Sequence, residues 1–318
     1  LIPVLVLAGP TASGKTGLGI EVAEKLGAEI ISADSRQVYR HLDIGTAKPT
    51  AAELARVRHH LIDRVEPGEK FSAGRFAREA SEAIETIARQ GKVPLICGGT
   101  GFYIAALFEP LFEEPEGIDR ERQIKLRGEL KARAEREGAQ ALHDELGRVD
   151  PGSAARLHPN DFQRVSRALE LFRLTGRTMT ELLAECVSQT PRRFSPYYVL
   201  LDPRTEVLKS RIATRVQNML EAGWLEEVEG LLQQGVPSEA PGFQSLGYSE
   251  VLALSQGELS LEAACEAITA RTWQYARRQR TWFRRLEAAL RLEGGEGMAG
   301  TVAAHWCHHI ESREWSEA

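Results

Sequence analysis

Cysteine is scarce in this chain: Cys97, Cys186, Cys265 and Cys307 are the only four, far apart and with no C-x-x-C pair among them. Such spacing argues against a disulfide framework and for a reducing compartment, so a cytosolic protein is expected. Long hydrophobic runs are lacking as well, which excludes a bilayer-spanning segment, and no membrane partner is expected. The chain enters a strand directly after Pro3, so no signal peptide is read, and the missing initiator Met suggests trimming. An excess of positive charge is the third absence. With 40 Lys and Arg against 45 Asp and Glu the net charge is −5, so nucleic-acid contact has to come from local basic faces. What remains is ordinary for a globule, since 42% hydrophobic content over 318 residues suffices for one large core or two modest ones.

Against this background one stretch stands out. Gly9-Pro10-Thr11-Ala12-Ser13-Gly14-Lys15-Thr16 fits the phosphate-loop pattern G-x-x-x-x-G-K-[ST] at every required position. Val4 to Leu7 form an apolar run before it, and Leu18, Val22 and Leu26 recur at helical spacing after it, so a strand feeds a turn that opens a helix. Gly9 and Gly14 let successive N–H groups point at phosphate oxygens, and the helix dipole adds attraction. Lys15 supplies a full charge and Thr16 a hydroxyl suited to Mg2+. Gly17 and Gly19 cost about 1 kcal/mol each in a helix, and close packing against a sheet is the expected reason.

The rest reads as an α/β chain with a P-loop-type parallel sheet, helices on both faces, and an inserted all-helical subdomain. Glu29–Ser32 is a second strand ending at Asp34, a carboxylate at the ligand edge of an open sheet or simply a turn aspartate. Asp43–Pro49 is a polar loop. His60–Asp63 is a short third strand, and Ser72 caps a helix whose Phe76, Ala80, Ile84 and Ile87 share a face. Val93–Cys97 is a fourth strand, ending in the glycine turn Gly98–Gly101. There Thr100 is a substrate contact or an ordinary turn threonine. Residues 1–112 are thus the first part of the core and 113–196 the helical insertion, begun by breaks at Pro115 and Gly117. Residues 197–292 continue the core, and 293–318 are a tail whose order the sequence leaves open.

In the insertion, Asn160 is the expected cap of a helix placing Arg164 and Arg167 on one face, solvated or bound to phosphate. Tyr198–Asp202 imitates a Walker-B strand, but Pro203 and Arg204 follow at once and the imitation is set aside. Arg211 and Arg215 share a helix face and are suited to a pyrophosphate leaving group or to solvent. Arg271–Arg291 carries seven arginines and one acid, with Trp273, Tyr275, Trp282 and Phe283 interleaved. It is half nucleic-acid pattern and half core, with Trp273, Ala276 and Arg280 at helical spacing. His305, Cys307, His308 and His309 are too crowded for a tetrahedral metal site.

From Val4 to Phe283 these residues together resemble the tRNA dimethylallyltransferases. The markers are the loop itself, Asp34-Ser35 with Tyr39, Asp43–Pro49, Gly98-Gly99-Thr100, His158–Asp161, Gln163-Arg164 with Ser166–Glu170, Gly247-Tyr248, and Gln279 with Thr281-Trp282. The resemblance implies direct transfer of a dimethylallyl group from its diphosphate to the exocyclic amine of an adenine beside the anticodon. By the same likeness Thr11–Thr16 hold the diphosphate, with Mg2+ on Thr16, and Lys15 and Arg215 stabilise the leaving group. Asp34 is the general base, and Thr100 positions the amine or its base. Asp34, Ser35, Arg36, Gln37, Thr100, Arg122, Gln163, Arg164, Val165, Ser166, Arg167, Gln244, Ser245, Leu246, Gly247, Tyr248 and Ser249 are implied to grip the tRNA. A monomer is expected. Two positions depart from the pattern, Ser249 where a basic residue is usual and Arg36 where a small or hydrophobic one is. The competing classes are a P-loop kinase or nucleotide hydrolase, and an RNA-binding module with a vestigial loop.

Overall fold

The structure, a computed structural model, describes residues 1–109, 119–189 and 193–314. The chain divides into two compact units, one of Leu1–Phe108 with Arg192–Ala318, the other of Glu109–Pro191. The second unit begins and ends a few residues earlier than the expected 113–196; it ends early because Phe194 already pairs with Ile2 in the sheet of the first. The expected breaks at Pro115 and Gly117 lie outside the described residues.

In chain order the first unit opens with β1 (Ile2–Ala8), α1 (Lys15–Leu26), β2 (Ala28–Ser32), α2 (Ala51–Arg56), β3 (His59–His60), α3 (Ala73–Arg89), β4 (Val93–Gly98) and α4 (Gly101–Phe108). The second holds α5 (Arg120–Glu137), α6 (Ala139–Val149), α7 (Pro151–Arg156), α8 (Phe162–Thr175) and α9 (Met179–Gln189). The first resumes with β5 (Phe194–Leu201), α10 (Thr205–Glu221), α11 (Trp224–Gln233), α12 (Tyr248–Ser255), α13 (Leu261–Phe283), β6 (Leu290–Leu292) and α14 (Met298–Glu314).

All six strands run parallel in the order β3-β2-β4-β1-β5-β6. Parallel strands need helical crossovers, and burial on both faces explains why Val4–Ala8 are fully buried rather than alternating. Leu5 and Leu7 pack with α1 and α14, while α3 lies over β1, β2 and β4 with Phe76, Ala80, Ile84 and Ile87 buried. Because the strands share one direction, the loops after β1, β2 and β4 all emerge at one edge, and these are the phosphate loop, the Asp34 turn and the Gly98–Thr100 turn. A second apolar cluster joins α10 to α13 with Val38, Tyr39, Leu42 and Val65.

Several readings are refined. The tail, whose order the sequence leaves open, holds a helix: Ala299, Val302 and Trp306 are spaced to form one buried stripe of α14, and Trp306 meets Tyr197 edge-on at 5.8 Å. Among the described residues no group of three metal-ligating side chains exists, and His309 instead packs on Tyr197 at 4.5 Å. The third strand is His59–His60 only, because Leu61 (φ 63°) and Asp63 (φ 54°) adopt left-handed backbone that ends an extended run. The cap of α8 is Asp161, whose carboxylate accepts the Arg164 N–H, not Asn160. The inward stripe of α13 is Thr272, Ala276, Gln279 and Phe283, with Trp273 and Arg280 only partly buried. Gly19 does pack against the sheet, where a Cβ would lie 3.1 Å from Cys97 Sγ, whereas Gly17 has nothing near it.

Candidate active site

The phosphate loop is shaped by contacts that leave no room for larger residues. A Cβ on Gly9 would lie 2.4 Å from the Leu201 carbonyl oxygen at the end of β5, and Gly14 takes φ 94° to begin α1. Lys15 folds back over the loop, its Nζ donating to the Pro10 carbonyl at 2.6 Å and to Ser13 Oγ at 3.4 Å. Arg211 of α10 steadies the loop from outside by donating to the Ser13 carbonyl at 3.2 Å.

Residues Thr11 to Thr16 form one wall of a cavity of about 240 Å³, and Asp34, Arg36, Gln37 and Arg215 contribute to its lining. Asp34 satisfies both readings of its position: Oδ1 accepts the Arg36 N–H at 2.9 Å, as in any aspartate turn, and the residue still faces the cavity. Thr100 stands behind it, its hydroxyl accepting the Ser35 N–H at 3.0 Å and donating to Ser35 Oγ at 3.4 Å. Gly98 permits this approach, since a Cβ there would lie 2.2 Å from the Ala33 carbonyl oxygen. Gln37 accepts from Ser32 Oγ and donates to the Ala47 carbonyl, tying the turn to the Asp43–Pro49 loop.

The electrostatics follow from putting three cations, Lys15, Arg36 and Arg215, and the Asp34 carboxylate around one hollow. Burial pushes the Lys15 ammonium down to about 8, and the positive Arg215 adds to this while Cys97 and Asp34 oppose it. Burial also lowers Arg215, again with Asp34 acting the other way. An anion in the cradle favours the protonated lysine, so above pH 8 its binding takes up a proton. Affinity for inorganic pyrophosphate, corrected for the ligand's own ionisation, is therefore expected to be flat below about pH 8 and to fall by up to about tenfold per unit above it. Calorimetric titration across pH 7 to 10 checks this, with Lys15→Met expected to abolish the slope.

The remaining expected positions fall in two places. In the first unit, Ser245 is buried and, like Leu246, lines the cavity, while Gln244 and Ser249 are exposed. Gly247 (φ 89°) starts α12 against Trp224, and Tyr248 is fully buried with its hydroxyl donating to Glu227 at 2.6 Å. Burial, with the Glu227 charge and that bond, raises the Tyr248 phenol well above its usual range. Arg271 of α13 donates to Ser249 Oγ at 2.8 Å and pairs with the Glu250 carboxylate, so the cation beside Ser249 already has a partner. In the second unit, Arg122, Gln163 and Arg164 are exposed, Ser166 bonds the Gln163 carbonyl, and Arg167 pairs with the buried Glu170. The Val165 side chain belongs to that unit's core, beside Leu169 and Leu142. Asp202 pairs with Arg280 at 2.6 Å, and this ion pair occupies the carboxylate that a Walker-B role would need free.

Sequence reasoning missed two supports of the site. Glu227 of α11 accepts the N–H groups of Asp43 and Ile44, each at 2.7 Å, and so fixes the loop whose Gly45 and Thr46 line the cavity. Gln279 of α13 accepts the Thr11 N–H at 2.8 Å and donates to the Gly99 carbonyl at 2.8 Å. Only the Gln279-Thr281-Trp282 likeness pointed at it.

A parallel sheet carrying a phosphate loop, with a lysine, two arginines and a carboxylate around one hollow, is the architecture of an α/β P-loop protein. The sequence model of a family described as IPP transferase matches residues 37–286. A tRNA dimethylallyltransferase of Methylococcus capsulatus is 47% identical over 93% of each chain, and one of Geobacter metallireducens is 46% identical over 89% of each. Among solved structures, a full-length tRNA isopentenylpyrophosphate transferase of Bacillus halodurans is 33% identical, with a TM-score of 0.73 over 100% of this chain and 99% of its own. A eukaryotic dimethylallyltransferase acting on tRNA is 30% identical with a TM-score of 0.78, over 100% of this chain and 80% of its own. The chain belongs to the tRNA dimethylallyltransferase family.

Proposed function

We infer that the chain transfers a dimethylallyl group from dimethylallyl diphosphate to the exocyclic amine of the tRNA adenine adjacent to the anticodon, releasing diphosphate. The observation carrying this reading is the single cavity that holds the loop's Lys15 and Thr16 and, facing them, Asp34 and Arg215. The loop grips the diphosphate, while Lys15 and Arg215 meet the negative charge that grows as the carbon–oxygen bond breaks. Asp34 takes the proton of the amine as the carbon–nitrogen bond forms, since an exocyclic amine is a poor nucleophile until that proton has an acceptor. Thr100 holds the Asp34-Ser35 turn through the Ser35 N–H. A stacked base cannot reach a cavity, so the adenine must be extruded from the anticodon loop. Exposed Arg122, Gln163 and Arg164 of the second unit, and Gln244 and Ser249 of the first, offer polar contacts to RNA.

The donor set fits Mg2+ of the kind that keeps most of its ligands from water and substrate. Thr16 offers one hydroxyl, Asp34 lies across the same cavity, and the described residues hold no three-residue ligand cluster. When bound at Thr16 the ion would supply further charge neutralisation on the departing pyrophosphate. No helix among the described residues is long and apolar enough to cross a membrane, and a cytosolic monomer is the setting this reading calls for. Mass analysis of tRNA nucleosides after incubation with dimethylallyl diphosphate and Mg2+ tests it. A prenylated adenosine is expected, and unmodified tRNA with sustained turnover of labelled ATP would instead assign the site to nucleotide hydrolysis.

A further inference from the structure

We propose that Gln279 is a positioning residue that sets the distance between the leaving-group cradle and the proton acceptor, an assignment that rests on the transfer reaction inferred above. The side chain is 7% exposed, and its amide spans two loops that the sheet brings to one edge. Oε1 takes the Thr11 N–H at the mouth of the phosphate loop, and Nε2 gives a hydrogen bond to the Gly99 carbonyl, both at 2.8 Å. Only one orientation of the amide satisfies both partners, because Thr11 N–H can only donate and the Gly99 carbonyl can only accept. Gly99 is followed by Thr100, which holds the Ser35 N–H at 3.0 Å, and Ser35 follows Asp34. One short path of hydrogen bonds therefore runs from the cradle through Gln279 to the carboxylate turn. The fit is tight: a Cβ on Gly99 would lie 2.4 Å from Gln279 Nε2. Ala276 and Phe283, on the same stripe of α13, are buried and anchor the helix from which the amide reaches. The Thr11 N–H is consequently spent on Gln279, and the cradle's backbone donors begin beyond it.

A group that fixes the approach of two reactants changes the rate of reaction more than the binding of either one, and a misplacement near 1 Å costs about 10²-fold. Gln279→Leu is expected to lower kcat for prenyl transfer by about 10- to 100-fold while the Kd for inorganic pyrophosphate stays within about threefold. Gln279→Glu carries a pH signature that a space-filling role lacks. Ionised, its carboxylate accepts from Thr11 but repels the Gly99 carbonyl; protonated, it donates to that carbonyl as the amide does. Its activity relative to wild type is expected to rise as pH falls, with no such recovery in the leucine variant. Lys15, Asp34, Arg36, His59, Cys97, Arg215 and Tyr275 line the same cavity in both proteins, so the ratio to wild type removes their contribution. Wild-type kcat in both variants, or weakened pyrophosphate binding with kcat intact, overturns the assignment. Loss of the folded state in both, read by thermal melting, also overturns it and gives Gln279 to the fold. A wild-type protein that makes no prenylated tRNA sinks the transfer reading itself, whereas an active wild type with indifferent variants sinks this inference alone.

Discussion

Asp34→Ala is expected to keep tRNA and pyrophosphate binding and to lose product formation by a factor on the order of 10²–10⁴, the usual range for a removed general base. The alanine variant alone has a second meaning, because Asp34 Oδ1 also accepts the Arg36 N–H at 2.9 Å. Losing that bond costs about 1 kcal/mol and could loosen the turn. Asp34→Asn separates the two effects: its amide oxygen still accepts from Arg36, but its basicity is gone. Both variants should be equally inactive if proton transfer is the role. An active asparagine variant would make Asp34 a turn residue that merely faces the cavity. Gel-shift binding and single-turnover product formation, measured on the same preparations, supply the comparison.

Lys15→Ala carries the second large effect. Its ammonium is the full charge within the loop, held against the Pro10 carbonyl at 2.6 Å and pushed down to about 8 by burial. Because the charge on the diphosphate grows as it departs, removing the ammonium should depress kcat by about 10²–10³ in addition to weakening ground-state binding. Lys15→Arg is expected to rescue little, since a planar guanidinium cannot replace a compact ammonium folded back over a tight loop. Steady-state kcat and KM for dimethylallyl diphosphate decide it. An unchanged kcat with raised KM would mean that Lys15 binds substrate and leaving group equally.

How much of this was legible in the sequence depended on how local each signal was. The phosphate loop is eight consecutive residues between a strand and a helix, so β1, the turn and α1 could be placed at once. Ser72 and its stripe of Phe76, Ala80, Ile84 and Ile87 were equally local, and all four side chains are buried as read. Asp34 and Thr100 were located at strand ends, but their orientation depends on Gly98 and Ser35 packing across β2 and β4, and the sequence left it open. Contacts between remote residues left no trace in the local pattern. Gln279 reaches Thr11 across 268 positions, and Glu227 reaches Asp43 across 184. The tail was hard to read for a related reason, because α14 is polar for much of its surface and Ala299, Val302 and Trp306 become a stripe only when α1 is there to cover them. β6, three residues with Arg291 at its centre, carries no pattern that separates it from a loop.

The central claim is a distance: a diphosphate in the loop on one side and, on the other, an adenine amine against Asp34. A structure of the protein with an unreactive thiodiphosphate analogue of the prenyl donor and an anticodon stem-loop measures it. The account predicts the diphosphate on Lys15 and Thr16, and the exocyclic nitrogen about 2.6–3.2 Å from an Asp34 carboxylate oxygen. An adenine nucleotide's phosphates preferred in the loop, or an extruded base bound with Asp34 turned away from its amine, would contradict it.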